Sequence, residues 1–258
     1  MSLQSLLGID LPLLQAPMAG VQSSALAIAV SNAGGLGALP CAMLDSRTLL
    51  AELDAIKAQT SKPYNLNFFC HQQPIADPAS DARWRETLAP YYHQLGINPS
   101  PVASTASRTP FNNEIASLLE AYGPPVVSFH FGLPSTALLN RVRSWGSRVL
   151  CTATTVDEAR WLESKGVDAV IAQGLEAGGH RGHFLTDTLD NQLPTSALLT
   201  QIVRAVRLPV IAAGGIVDRA GVRAALQLGA SAVQVGTAYL LCDEADTSTV
   251  HRAALQGD

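Results

Sequence analysis

Short apolar runs return at near-regular intervals along this chain, and segments with helix signals stand between them. In order the runs are LPLLQAPM (11–18), GLGALP (35–40), YNLNFF (64–69), VVSFHF (126–131), RVLCTA (148–153), AVIAQG (169–174), PVIAAGG (209–215) and AVQVGT (232–237). Most are apolar without strict alternation. Strands of a parallel sheet covered on both faces read this way.

The segments between the runs carry start and stop signals. Thr155 and Glu158 have capping-box spacing, and Gly166 follows the last apolar position of that segment. Ser135 precedes Leu138, Leu139, Val142 and Trp145, which share one helical face, and Gly146 ends the pattern. Asp218 precedes Val222, Ala225 and Leu226, with Gly229 at the stop. Alternating strands and helices make stacked right-handed βαβ units. Eight of them in 258 residues predict a (β/α)8 TIM barrel, read as a single domain over 1–258. A doubly wound open sheet is the competitor. It usually has fewer strands, and its GxGxxG fingerprint is missing here.

Two stretches break the rhythm. Residues 71–110 are too long for a simple connection after the third strand, and a short helix is expected there from Trp84 to Leu95. On a barrel's catalytic face such an insertion reads either as a lid or as an excursion without a role. Residues 174–196 form the second long loop. The end, HRAALQGD, is abrupt: residues 248–258 read as the start of a helix with nothing after it. Either the eighth helix is short or a C-terminal part is missing.

Composition removes several classes of function. The net charge is −4 with no basic run, which argues against a nucleic-acid partner. The four cysteines are scattered without CxxC spacing, so neither a metal site nor a disulfide framework is indicated. The N-terminus lacks the features of a signal peptide, and no apolar run reaches the ~18 residues of a membrane span. A soluble, cytoplasmic protein is expected. Nothing in the sequence fixes an oligomeric state.

The chemistry-bearing residues fall at the ends of the runs. Gly214 and Gly215 follow the seventh, where the backbone must turn sharply; Gly236 and Thr237 close the eighth. In barrels this pair of loops commonly cradles a phosphate with backbone N–H groups. A flavin mononucleotide would lay its ring across the strand ends. Ala16, Pro17 and Met18 would supply a rigid apolar wall, and Asn67 and Gln173 neutral amides. The stretch QGLEAGGHRGHF (173–184) places Gly178 and Gly179 immediately before His180, with His183 three residues on. His183 reads either as a partner within the loop or as solvated. His130, at the end of the fourth run, reads either as a substrate-side group or as a core histidine.

The motifs LLQAPMAG, SNAGGLGALP, NLNFF, VVSFHFGLP, AQGLEAGGHRGHF and PVIAAGGI…GASAVQVGTAYL resemble those of the nitronate monooxygenase family, in order, over residues 11 to 241. The EAGGHRG and SFHFGLP stretches are similar to the bacterial class I branch. The resemblance implies an FMN-dependent (β/α)8 barrel that oxidises alkyl nitronates, such as propionate 3-nitronate, with dioxygen to a carbonyl compound and nitrite. It implies cofactor contacts from Ala16, Pro17, Met18, Asn67, Gln173, Gly178, Gly215, Gln234, Val235, Gly236 and Thr237, to which the turns themselves add Gly179 and Gly214. It implies that His180 is the catalytic histidine, as a donor to the substrate or as a base. A similar GGH motif occurs in FMN-dependent enoyl-acyl-carrier and quinone reductases, which would need NAD(P)H. A flavin-binding barrel without turnover is the remaining alternative.

Overall fold

The computed structural model describes residues 2–73, 75, 77–98 and 108–257. Its eight strands are β1 (Leu13–Gln15), β2 (Gly37–Pro40), β3 (Tyr64–Phe69), β4 (Val126–His130), β5 (Arg148–Ala153), β6 (Ala169–Gln173), β7 (Val210–Ala213) and β8 (Ala232–Val235). All pair in parallel, and each of the eight apolar runs contributes one.

The β1–β2 seam closes the ring. Only an isolated Leu14–Leu36 bridge joins the two strands there. Leu36 N donates to Leu13 O and Gln15 N to Leu36 O, each at 2.9 Å. Beyond that point side chains replace the ladder. Gln15 Oε1 accepts from Ala38 N at 2.8 Å, and Gln22 Nε2 donates to Ala38 O at 2.7 Å. Gln22 Oε1 in turn accepts from Gln15 Nε2 and from Met18 N. Two buried amides thus finish the barrel wall and fix the chain that leaves β1.

Side-chain alternation sorts the core into two shells. Leu14, Leu36, Val126, Leu150, Ile171 and Ile211 fill the barrel interior, joined by Leu3 and Leu7. The last two come from the short helix α1 (Leu3–Leu7), which Gly8 ends beside Pro63, just ahead of β3. Helix α1 therefore plugs the amino end. Leu66, Phe68, Val127, Phe129, Val149 and Val170 face outward against the helices. Each fully buried side chain of this size contributes roughly 1.5–3 kcal/mol.

The helices are α2 (Ser24–Asn32), α3 (Ser46–Gln59), α4 (Pro78–Gln94), α5 (Asn113–Glu120), α6 (Thr136–Ser144), α7 (Val156–Ser164), α8 (Thr195–Ala205), α9 (Arg219–Gln227) and α10 (Thr249–Gln256). Helix α2 lies directly on β2: a Cβ added at Gly37 would fall 1.9 Å from Ala27 O. Among the described residues none of these helices is long and apolar enough to cross a membrane.

The insertion departs from expectation. Its helix, α4, begins at Pro78 rather than Trp84 and runs for 17 residues. Asp77 caps it, accepting from Ala79 N and Ser80 N at 3.1 Å, and Pro78 occupies the first turn, where its missing N–H costs nothing. Residues 74, 76 and 99–107 of the insertion lie outside the described residues. The capping box at α7 is also only half formed. Thr155 Oγ1 accepts from Glu158 N, but the Glu158 carboxylate turns away to serve a different loop.

Candidate active site

Four loops meet at the carboxyl rim of the barrel. A Cβ at Gly178 would stand 3.6 Å from Thr237 Oγ1, and one at Gly236 would stand 3.4 Å from Ala16 Cβ and 3.6 Å from Met18 Sδ. A Cβ at Gly214 would fall 2.9 Å from Ala177 N, and one at Gly215 3.0 Å from Glu176 Cβ. The turns after β6, β7, β8 and β1 therefore share one surface. Gly214 (φ 122°) and Gly215 (φ 67°) adopt backbone conformations that side chains rarely tolerate. A Cβ at Gly179 would meet nothing within 4 Å. A 3-10 turn, Thr237–Leu241, begins at Thr237.

Three side chains shape the β6 loop. Gln173 Nε2 donates to His180 O at 2.8 Å, and its Oε1 accepts from Gly182 N at 2.8 Å. Arg181 folds back on the carbonyls of Gly174, Leu175 and Ala177. Glu176 accepts from Thr195 N and Thr195 Oγ1, both at 2.7 Å, at the start of α8. These bonds to Thr195 and the nearby Arg181 outweigh desolvation and hold the Glu176 carboxyl below its ordinary pKa. Gln173, expected as a cofactor amide, thus has both ends engaged in holding its own loop.

The far limb of the loop is tied by Glu158, which is fully buried. Its Oε2 accepts from Thr154 N and Thr154 Oγ1 at 2.7 and 2.8 Å. Its Oε1 accepts from Phe184 N at 2.7 Å and Leu185 N at 3.3 Å. Those four hydrogen bonds substitute for water around a carboxylate with no access to it.

His180 stands out from the loop with its ring edge-on to two phenylalanines. Ring centroids lie 5.6 Å from Phe69 and 6.0 Å from Phe131. Arg108 Nη1 lies 3.4 Å from His180 Nε2. Partial burial, and then the Arg108 charge, hold the imidazole below its ordinary pKa. Phe131 (φ 66°) is the one described non-glycine residue in the left-handed region. That conformation costs of order 1–3 kcal/mol, and such strain concentrates at functional sites. The next residue, Gly132, is also left-handed (φ 85°), and Phe184 packs where a Cβ on it would stand, at 3.2 Å.

His130 is engaged at both ring nitrogens. Nε2 lies 3.1 Å from His180 O and Nδ1 lies 3.0 Å from Thr152 Oγ1. A carbonyl only accepts, so Nε2 carries the proton and Thr152 donates to Nδ1. Burial pushes its pKa down to about 4, so the ring is neutral at physiological pH. Gly182 makes room for it: a Cβ there would be 2.5 Å from His130 Cε1. His183 is half-buried, and among the described residues its buried Nδ1 has no hydrogen-bond partner.

The remaining expected residues differ in what they present. Asn67 Nδ2 donates to Ser128 Oγ at 2.9 Å, an oxygen that also accepts from Asn65 Nδ2. Val235 contributes its carbonyl, which accepts from Ala16 N at 2.7 Å, and its side chain is buried in the outer shell. Gln234 lies at the end of β8, half-buried, opposite Leu14. Among the described residues no cluster of His, Cys, Asp or Glu could hold a metal ion.

Sequence reasoning missed Arg108, Arg181, Glu158, Glu176, Phe69 and Phe131 as parts of this site. Phe131 had a signal in the Phe-Gly pair of HFGLP, where glycine at 132 allows a turn. Arg108 had none, because it comes from the polar end of the insertion.

The nitronate monooxygenase family profile matches residues 1–257. The nitronate monooxygenase of Paraburkholderia phytofirmans is 46% identical over 260 aligned residues, covering 100% of this chain and 70% of that protein. That of Pseudomonas aeruginosa is 44% identical over 254, covering 98% and 72%. The structure of nitroalkane oxidase from Streptomyces ansochromogenes superposes with a TM-score of 0.88 at 36% identity, covering 100% of this chain and 73% of that one.

Proposed function

The chain belongs to the nitronate monooxygenase family, an oxidoreductase family, and from that premise we propose that its carboxyl rim is an FMN site at which alkyl nitronates are oxidised by dioxygen to a carbonyl compound and nitrite. One observation carries the reading. The Gly178–Gly179 corner, the Gly214–Gly215 turn and the Gly236–Thr237 turn converge on one rim, and His180 follows Gly179 directly, its ring against Phe69 and Phe131.

The residues present fit the cofactor. The Gly178–Thr237 approach and the open space at Gly179 leave backbone exposed where side chains would otherwise stand. Gly179, Gly215 and Thr237 would hold the phosphate, with Ala16, Pro17 and Met18 as the wall beside the ring. When bound, FMN would supply the one-electron redox chemistry between nitronate and dioxygen.

The chain's own groups bind and orient. His180 offers an imidazole N–H to the negative oxygens of the nitronate. Phe69 and Phe131 exclude water from one side and fix the tilt of that imidazole. His130 and Gln173 both grip His180 O, so the ring's backbone anchor is held from two strands. His130 is a positioning residue on this account, since both of its nitrogens are already used.

The test is the absorbance spectrum of the purified protein, followed by anaerobic titration. A bound-flavin spectrum that bleaches with nitronate, and nitrite release on admitting air, is the expected result. Bleaching by NADH or NADPH alone would replace this reading with a reductase. A flavin reduced by none of these donors would indicate a binding barrel without turnover.

A further inference from the structure

The chain ahead of α5 is tied to the rim at two points. Phe111 N donates to Phe69 O at 2.9 Å while its ring packs on Phe68 and Phe129. Arg108 O accepts from Gln73 Nε2 at 3.2 Å. Between these ties the Arg108 guanidinium reaches His180 Nε2. A guanidinium is permanently charged and has no acceptor, so this contact has one polarity. Nε2 offers its lone pair to Arg108, and the ring is neutral with its proton on Nδ1.

Two substrate forms are available to such a site. A neutral nitroalkane must first lose its α-proton to a base. A nitronate has already lost it and carries a negative O–N–O group shaped like a carboxylate. We propose that Arg108 selects the ionised nitronate over the neutral nitroalkane, by capping the His180 lone pair and presenting a planar cation to the nitronate oxygens. This rests on the function proposed above. The cap removes the acceptor that an α-proton would need, and a cation at this distance opposes an imidazolium. A guanidinium fork also matches a two-oxygen anion better than a point charge does.

The charged group acting on the His180 ring is Arg108; His130 from β4 holds its backbone oxygen, and Arg181 and His183 on its own loop act on His130. His130 is neutral and donates to the backbone oxygen, and Arg181 is turned to the Gly174, Leu175 and Ala177 carbonyls. Arg108 is the group that meets the imidazole nitrogen.

The experiment compares holoenzyme with Arg108→Met and Arg108→Lys, assaying nitrite from a nitronate and from its neutral parent. The imidazole of His180 is titrated by NMR in parallel. Arg108→Met should raise KM for the nitronate about tenfold, the weight of one charge-assisted hydrogen bond at a half-open site. It should also gain activity on the neutral form and shift the His180 titration upward. Arg108→Lys should keep the charge and most of the nitronate preference. Wild-type turnover of the neutral form as fast as the nitronate would overturn the proposal. So would an Arg108→Met variant with unchanged KM and an unchanged His180 titration. If wild type releases no nitrite from either form, the proposed function fails, and an unshifted His180 titration would then remove the Arg108 contact as well.

Discussion

His130 Nε2 lies 3.1 Å from the main-chain oxygen of His180, so one histidine of the rim holds the backbone of the other. Gln173 donates to the same oxygen at 2.8 Å. The two donors come from β4 and β6, on either side of β5, and they set the height of the His180 loop over the barrel mouth.

That arrangement makes stability depend on acid. His130 titrates at about 4 in the fold, against an ordinary value near 6.5, because burial penalises its charge. Between those values the unfolded chain binds a proton that the folded chain refuses. Stability is therefore complete above about pH 6.5 and falls as pH drops through that window. Urea midpoints measured from neutral pH down to about 4 should fall steadily in the wild type. In His130→Ala the neutral midpoint should be lower and the acid slope flatter, and an identical slope would assign the acid sensitivity elsewhere.

A cofactor cradle can be tested where the fold will not suffer. Gly215 is a poor position, since φ is 67° and a new Cβ would press on Glu176. Gly179 is a better one, because a Cβ there meets nothing within 4 Å. Gly179→Asp would set a carboxylate against a phosphate while leaving the barrel intact. We expect unchanged thermal unfolding of the flavin-free protein and FMN affinity lower by about tenfold or more. FMN titration by fluorescence quenching measures it, and undiminished affinity would move the phosphate away from this corner.

The barrel was legible because it is periodic. Eight apolar runs, Asp218 and Ser135 as caps, and Gly146, Gly166 and Gly229 as stops are local signals, and each stands where the structure uses it. The rim glycines were legible for a similar reason, since strand-end glycines imply a turn. The side chains that support the loop were not. Glu158 reads as an ordinary helix-start acid next to Thr155, and only the fold brings Phe184 N to it. Gln15 closes the first run and Gln22 stands in the connection after it, and nothing local shows that together they finish the β1–β2 wall. Long-range partners of polar residues leave no periodicity to detect.

Glu158 gives the sharpest stability prediction. Glu158→Ala would leave Thr154 N and Phe184 N buried without an acceptor, at about 1–3 kcal/mol each. Thermal unfolding should drop by several degrees. Glu158→Gln retains one acceptor oxygen and should lose about half as much. Released from this anchor, the loop should also expose Arg181 to trypsin, so cleavage after Arg181 should appear in Glu158→Ala before it appears in the wild type. Equal cleavage rates would mean that Gln173 and Glu176 hold the loop without it.

The imidazole itself is the last link to test. His180 contributes no buried contact that the barrel needs, because its ring touches Phe69, Phe131 and Arg108 at the exposed rim. Its backbone oxygen, which His130 and Gln173 hold, survives truncation of the side chain. His180→Ala should therefore fold, melt and bind FMN like the wild type. Removing one preorganised hydrogen-bond donor from a reacting anion costs about 10²–10³-fold, and nitrite release from a nitronate should fall by a factor of that order. His180→Asn, which keeps a donor but not the imidazole, should recover part of the loss, because the role assigned to the ring is to donate to the nitronate oxygens. Nitrite release by His180→Ala at the wild-type rate would show that the ring stands at the rim without acting on the substrate.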